Sequence, residues 1–361
     1  MHLFSTVAGV FNHAAELLAL RAIVPFLAWS HLAPWTAPPR EIAEFLLLAL
    51  VQVLVIACVF RPLESLMPLE PWADRQATRI DRSYTLVKLL GVTPLFTYLV
   101  LEPLSRIGGG AVDGSDEGLT SVQHWLPWLN GHPVVLFMVY LVLFDGLQYA
   151  VHRLQHAIPW WWALHSLHHS QRQLSCWSND RDHYLDDFLE AMILAGAALL
   201  IGVAPVSYAL LNLISALLEN FSHANVRLRF GAVLDKLLVS PHFHRLHHMR
   251  VDPHRPDMHN CNFALVFPVW DLVGRTALYP PRTEAPRATG VGDPVVDADN
   301  TRGLLAQQLH ALRRFWVAVR CKAGWLPGDV AFDAQLRPVS VRDFDLHALE
   351  AGTPLDQARK S

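Results

Sequence analysis

Long apolar runs alternate with polar stretches in the N-terminal part of the chain. Three such runs lie at residues 42–60, 86–104 and 133–151. An α-helix needs about twenty apolar residues to cross the roughly 30 Å hydrocarbon layer of a membrane, and each run is close to that length. They predict three transmembrane helices. An earlier run at residues 7–30 is interrupted by a histidine, a glutamate and an arginine, so we predict an interfacial or only marginally inserted helix there.

A further apolar region at residues 189–218 is long for a single spanning helix. Gly202 and Pro205 interrupt it, and proline breaks or kinks a helix because it lacks the backbone N–H. We therefore predict two helices joined by a tight turn, with one long kinked helix as the alternative. A hairpin of this kind returns the chain to the side of the membrane from which it entered.

The Lys and Arg residues between the runs predict the orientation of the chain. Residues 61–83 contain four arginines, whereas residues 105–132, which include the acidic, glycine-rich GGGAVDGSDEG, contain one. Lys and Arg are enriched in cytoplasmic loops. We therefore expect residues 61–83, the following histidine motifs and the C-terminal tail to face the cytoplasm, and residues 105–132 to face the other side.

The composition fits a membrane protein. Hydrophobic residues make up 52% of the chain, and the mean hydropathy is +0.24. The net charge of -3 gives no indication of a nucleic-acid partner. The four cysteines are scattered without a C-x-x-C pair, which argues against a disulfide framework or a zinc ribbon and favours a reducing compartment.

Histidine is concentrated in one part of the chain, since 13 of the 20 histidines lie between His152 and His259. They form an H-x-x-x-H motif in HRLQH and two H-x-x-H-H motifs, in HSLHH and in HRLHH. Residues at i, i+3 and i+4 share one face of a helix, so each motif can direct imidazole nitrogens at one metal position. The candidate ligands in these motifs are His152, His156, His165, His168, His169, His244, His247 and His248.

Three further residues are candidates because of their positions in the predicted topology. The predicted hairpin directs His223 towards the other histidines, which makes it a ninth candidate ligand. Glu219, four residues earlier on the same helical face, is a carboxylate ligand, an orienting group or an ordinary acid at a helix end. Asp145 lies in a membrane run seven residues before His152, where an unpartnered acid is costly. We expect Asp145 to accept the free N–H of a ligand histidine, with a helix-end or polar-cavity residue as the alternative.

Nine imidazoles exceed the four ligands of a structural zinc or the three of a catalytic one, and they divide naturally over two adjacent metals. Imidazole suits iron, zinc and copper. Because the chain has no evident nucleophile or phosphate loop, the pattern favours oxidation of a lipid C–H bond by O₂ at iron over hydrolysis. A histidine-rich membrane metal-binding or transport protein is the alternative, although it should carry polar residues in several spans. A catalytically inactive scaffold should show broken motifs.

The ordered segments HRLQH, HSLHH, SHANVR, PHFHRLHH and NCNFALVFPVWDLVGRT resemble the fatty acid hydroxylase / sterol desaturase superfamily over residues 135–276. The resemblance implies an all-α polytopic membrane fold, with about four transmembrane helices under a cytosolic helical cap. It also implies two iron ions held by the nine histidines, and hydroxylation or desaturation of a lipid or sterol-like substrate with O₂ and electrons from an external redox partner. No flavin, heme or ferredoxin motif is fused to the chain.

The resemblance suggests two more site residues. Asn262 takes the place of an asparagine near the end of the family pattern. His183 lies in an Arg-x-His turn and is expected either to support a ligand or to face the substrate. The chain departs from the family at Tyr184, where proline is usual, and at the added acids Asp186 and Asp187. Further departures are Phe263-Ala264 after the asparagine and Gly274-Arg275-Thr276 at the end of the motif.

The sequence predicts N-terminal membrane helices at residues 1–134, a catalytic segment at 135–279 and a polar tail at 280–361. We expect Phe267 and Trp270 in the closing segment to cover the site. The tail should contain one amphipathic helix over about 304–319. The motifs leave open whether the substrate is a fatty acyl chain, a sterol, a carotenoid or an aminolipid, and whether the reaction is hydroxylation or desaturation.

Overall fold

A computed structural model of the chain describes residues 2–32, 36–72, 75–101, 103, 121–250, 260–279 and 287–340. The GGGAVDGSDEG stretch and the end of the C-terminal tail lie outside these ranges, so their predicted locations stay predictions. The described residues are mainly helical, and their one sheet is a short antiparallel pair, β1 (Val330–Phe332) and β2 (Pro338–Ser340). The predicted all-α class is confirmed.

The first three long helices each contain π-helical turns. Helix α1 consists of His2–Leu18, the π-helical Ala19–Ile23 and Val24–Ser30. Helix α2 consists of Pro39–Val55, the π-helical Ile56–Phe60 and Arg61–Leu66. Helix α3 consists of Arg75–Val87, the π-helical Lys88–Val92, Thr93–Phe96 and the π-helical Thr97–Leu101. The remaining helices are α4 (Val122–Trp125), α5 (Pro133–Ala157), α6 (Pro159–His169), α7 (Tyr184–Leu200), α8 (Pro205–Ser222), α9 (Gly231–Leu234), α10 (Pro241–His247), α11 (Val269–Gly274), α12 (Pro294–Asp297) and α13 (Leu304–Arg320). Short 3₁₀ turns occupy Pro127–Gly131, Ser178–Asp180, Ala298–Thr301 and Lys322–Trp325.

Among the residues that the structure describes, four helices are long and apolar enough to cross a membrane. They span Ala8–Ser30, Pro39–Leu66, Thr78–Leu101 and Pro133–Ala157. The helices predicted at 42–60, 86–104 and 133–151 lie within or largely overlap the last three, and the helix predicted at 7–30 also has the length and composition of a span. Residues 61–83, predicted as a loop, are largely helical because they extend α2 and begin α3.

The apolar region at 189–218 forms two helices, α7 and α8, as predicted. The chain turns between them at Gly202, whose φ of 70° is in the left-handed region that favours glycine. A side chain at Gly202 would also clash, because a Cβ atom there would lie 2.8 Å from the Cβ of Ser121. Pro205 begins α8 at a position where its missing N–H costs nothing.

The chain divides into two compact units. The first comprises Met1–Val55, Leu86–Leu141 and Ala191–Ala216, and the second comprises Ile56–Thr85, Val142–Glu190 and Leu217–Ser361. In the first unit, α1 packs on α2 where small residues such as Ala15, Ala19 and Ala43 are buried. Small residues let helix backbones approach closely, which is the usual basis of helix packing in membranes.

The second unit contains all nine candidate histidines and α13. The predicted amphipathic helix at 304–319 is confirmed as α13, which packs against the histidine-bearing α6. Between them lies a buried cluster that includes Trp162, Ala163 and Ala318. The region called a polar tail therefore contributes to the core around α6.

Four buried carboxylates each fix two backbone N–H groups in the second unit. Glu64 accepts from the amides of residues 176 and 225, and Asp145 from those of 266 and 267. Asp271 accepts from the amides of 263 and 264, and Asp293 from those of 295 and 332. Each acid thus satisfies backbone donors that burial would otherwise leave unpaired.

We expect the Asp271→Asn substitution to destabilise the second unit. The new amide NH₂ group must face one of the donors that the carboxylate now accepts, which leaves a buried N–H unpaired at a cost of about 2 kcal/mol. The melting temperature in detergent should fall by about 4 °C or more. Asp333→Asn is the matched control, since Asp333 accepts two backbone N–H groups in an exposed turn. Equal shifts for the two variants would contradict the assignment.

Candidate metal centre

Four helices position the histidines. His152 and His156 lie in the last turns of α5, and the H-x-x-H-H motif of residues 165–169 ends α6. His223 follows directly on the end of α8, and the second H-x-x-H-H motif lies in α10 and the residue after it. Proline begins both α6 and α10, and the Ser240 side chain caps α10 by accepting the N–H of Phe243. These local signals start each short helix at the register that turns its histidines inward.

The nine histidines are all buried, and they form two groups whose candidate ligand atoms lie within 4.8 Å of one another in each group. The first group is His152, His156, His165, His169 and His247, and the second is His168, His223, His244 and His248. Each H-x-x-H-H motif contributes to both groups. The groups adjoin, since the rings of His169 and His248 stack with centroids 4.3 Å apart.

Within each group the Nε2 atoms converge. The Nε2 atom of His169 lies 3.0 Å from that of His156 and 3.1 Å from that of His247. In the second group, the Nε2 atom of His223 lies between 3.0 and 3.1 Å from those of His168, His244 and His248.

Several of the Nδ1 atoms point outward to fixed acceptors. Three of them face backbone carbonyls at 2.8 Å: His152 faces Phe263, His247 faces Cys261, and His223 faces Glu219. A carbonyl can only accept a hydrogen bond, so these rings carry their proton on Nδ1 and present an unprotonated Nε2.

Two acids face ligand histidines of α6. His165 Nδ1 donates to Asp186 over 2.9 Å, and His168 Nδ1 lies 2.9 Å from an oxygen of Asp182. Asn260 Oδ1 accepts from His156 Nδ1 over 3.1 Å. Nε2 lone pairs therefore face one another across each group, an arrangement that repels unless a cation lies between them.

Burial keeps the cluster in the ligand form. It lowers the pKa of His223 to about 3 and that of His169, His244, His247 and His248 well below the usual value. The neighbouring imidazoles lower these pKa values further, because a second positive charge nearby is unfavourable. Neutral imidazole is the form that binds metals, so the donor set fits metal ions at neutral pH.

Asp145 and Glu219 make contacts other than the expected side-chain bonds to a ligand histidine or a metal. The Asp145 carboxylate accepts from the amides of Val266 and Phe267 rather than from a histidine, so it anchors the closing segment. Glu219 orients His223 through its backbone carbonyl. Among the described residues, neither histidine group contains a carboxylate, so the structure does not place Glu219 as a ligand.

Asn262 and His183 also lie outside the two groups. The Asn262 amide binds the carbonyl of Phe243 and both backbone groups of Leu278, so it joins the closing segment to α10. His183 Nε2 faces the carbonyl of Gln308, and its Nδ1 accepts the N–H of Leu185 at the start of α7. His183 therefore supports α7 and α13, and its expected role beside a ligand or the substrate stays a prediction.

Sequence reasoning missed the residues that orient the ligands. In the sequence, Asp182 stands out only as part of the Arg-x-His turn, and Asp186 only as an added acid. Both lie near the start of α7, four residues apart. The aromatic cover is Phe263, whose ring touches His152, His156 and His247, rather than the predicted Phe267 and Trp270. Trp270 instead packs against Gly146, where a Cβ atom would lie 2.7 Å from the indole.

The chain was compared with known proteins. The fatty acid hydroxylase family matches residues 137–276, which lie within the predicted catalytic segment 135–279. An ornithine lipid hydroxylase, OlsE, from Rhizobium tropici is 28% identical over 255 residues, which cover 70% of this chain and 71% of the relative. No solved structure matches the chain significantly.

The family match covers the helices and loops that carry all nine histidines, and the described part of the chain contains four helices long and apolar enough to cross a membrane. The chain is an integral membrane protein whose residues 137–276 match the fatty acid hydroxylase family.

Proposed function

We propose that this chain is a di-iron oxygenase that hydroxylates a membrane lipid with O₂ and electrons from an external redox partner. The observation that carries the proposal is the convergence of unprotonated Nε2 atoms in two adjacent buried groups. In this proposal the five histidines of the first group hold one iron and the four of the second hold the other. Bound iron would supply the activation of O₂ that the organic side chains of the site cannot provide.

The spacing of the nitrogens supports one metal ion in the second group. Nitrogens about 2.1 Å from one metal lie about 3.0 to 3.4 Å apart. The Nε2 separations of 3.0 to 3.2 Å in the second group lie within this range, so one metal ion can contact these nitrogens.

The protein contributes orientation and a dry environment to the proposed reaction. The acceptors at Nδ1 hold the rings of five ligands at one rotation, which keeps this part of the ligand set ready before a metal binds; these ligands are His152, His156, His165, His223 and His247. The Phe263 ring and the buried wall of α6 exclude water from the groups, which limits unproductive reaction of activated oxygen with solvent.

The family and the relative support a lipid substrate and hydroxylation rather than desaturation. Because the relative is an ornithine lipid hydroxylase, an amino-acid-containing lipid is the first substrate class to test. We place the metal centre on the cytoplasmic side, since the arginines of residues 61–83 orient the chain in that direction.

Metal content tests the two-group assignment. Protein purified in detergent from iron-replete cells should contain close to two metal ions per chain by elemental analysis. His223→Ala should lose about one of them and all activity, because the Nε2 atom of His223 contacts the other three of its group. His124→Ala is the control and should keep both. One metal or none in the wild-type protein would contradict the assignment.

The orienting residues give a second test. Asp186→Asn removes the charge facing His165 and should weaken metal affinity or activity by about 10 to 100-fold. Glu219→Gln should stay close to wild type, because the backbone carbonyl and not the carboxylate orients His223. Metal titration and turnover on both preparations decide the point. A loss in Glu219→Gln as large as that in Asp186→Asn would show that the carboxylate serves the site.

Lipid mass spectrometry tests the reaction. A host that makes ornithine-type aminolipids should gain lipid species one oxygen atom heavier when it expresses the wild-type chain, and none when it expresses His223→Ala. Fragmentation would locate the oxygen on the headgroup or on an acyl chain. Species lighter by two hydrogen atoms would indicate desaturation. Unchanged lipids together with tightly bound metal would favour the metal-binding or transport alternative.

A further inference from the structure

A row of indole rings connects the first histidine group with the protein surface. Trp160 and Trp161 stack with centroids 5.2 Å apart and planes inclined by 4°. On the other side, Trp160 lies 5.7 Å from Trp325. Trp161 is 5% exposed and Trp325 is 57% exposed, so the three rings run from the core to solvent.

The inner end of this row is hydrogen-bonded to the site. Trp161 Nε1 donates to one oxygen of Asp186 over 2.6 Å, and the other oxygen accepts from His165 Nδ1 over 2.9 Å. One carboxylate thus joins the first indole to a candidate metal ligand.

We propose that Trp161, Trp160 and Trp325 form a redox relay that carries oxidising equivalents from the metal centre to the surface when oxygen is activated without lipid substrate. The inference rests on the proposed function. Indole is among the most easily oxidised side chains, and the ring contacts leave no long gap between the site and solvent. Without such a route, the excess oxidising equivalents would oxidise the buried histidines.

The relay moves one electron per event towards the metal centre. Trp161 gives an electron to the oxidised centre while its N–H stays bonded to Asp186. Trp160 then gives an electron to Trp161, and Trp325 gives one to Trp160. Oxidised Trp325 releases its indole proton to water. A small thiol then restores it by giving a hydrogen atom, and two of the resulting thiyl radicals combine to a disulfide. In the absence of a thiol, the Trp325 radical combines with O₂ and leaves an oxygenated indole.

The chain contains a matched surface tryptophan outside the relay. Trp316 is 52% exposed, close to the 57% of Trp325. Its ring contacts Phe315, which in turn contacts Trp160, and a phenyl ring is far harder to oxidise than an indole. Oxidants that diffuse through solvent should attack both surface indoles alike, whereas a relay should oxidise Trp325 selectively.

The experiment uses the full-length, iron-loaded protein in detergent. It is reduced with stoichiometric dithionite and exposed to O₂ without lipid or thiol, and indole oxidation is measured by peptide mass spectrometry. We expect oxygenated Trp325 well above Trp316 in the wild-type protein. In Trp160→Phe, oxidation of Trp325 should fall to the level of Trp316, while oxidation of Trp161 and of ligand histidines increases. Chelated, metal-free protein should show no selectivity.

Two further variants keep the test decisive. Trp325→Phe changes a ring that is 57% exposed and removes its hydrogen bond to the carbonyl of Val319. It should move oxidation back to Trp160, and it serves as the test if Trp160→Phe fails to fold. Trp316→Phe should leave oxidation of Trp325 unchanged. Equal oxidation of the two surface indoles in wild-type protein that contains metal and hydroxylates lipid would overturn the relay alone. Protein without metal or product would overturn the proposed function, and the relay with it.

Discussion

The metal centre depends on where nine imidazole rings keep their protons. Burial alone gives neutral rings but does not determine which nitrogen faces inward. Outward acceptors decide this, because a ring that donates from Nδ1 to a carbonyl or carboxylate must present the Nε2 lone pair to its neighbours. Several lone pairs about 3 Å apart store electrostatic repulsion that a bound cation relieves. The contacts that hold these nitrogen atoms close together therefore also give the site its affinity for a metal ion.

The loop acceptors are themselves held by buried acids. Asp271 accepts the amides of Phe263 and Ala264, and Asp145 accepts those of Val266 and Phe267. These bonds fix the segment whose Phe263 carbonyl orients His152. Asp145, which its place in a membrane helix suggests as a partner of a ligand histidine, thus acts on His152 indirectly, through the backbone of the closing segment.

The periodicity of the sequence was sufficient to predict the features of the fold that depend on a single helix. The spans, the break at Gly202, the amphipathic α13 and the nine converging histidines all follow from apolar runs and from i, i+3, i+4 spacing. The roles of Asp145, Glu219, Asn262 and His183 depend on which backbone groups loops bring to them, and no local pattern encodes those contacts. Asp186 was read as added charge because its partners, His165 and Trp161, lie more than twenty residues away.

Helix α6 explains why the C-terminal segment belongs with the metal centre. Consecutive residues on a helix point about 100° apart, so His168 and His169 reach different histidine groups from one turn. A rotation of α6 would therefore disturb both groups at once. The only way to hold both is to fix the helix itself, and α13 does so by packing along it at Trp162 and Ala163. The indole row at the start of α6 lies on this same contact, so the packing that fixes the ligands also sets the ring spacing between the site and the surface.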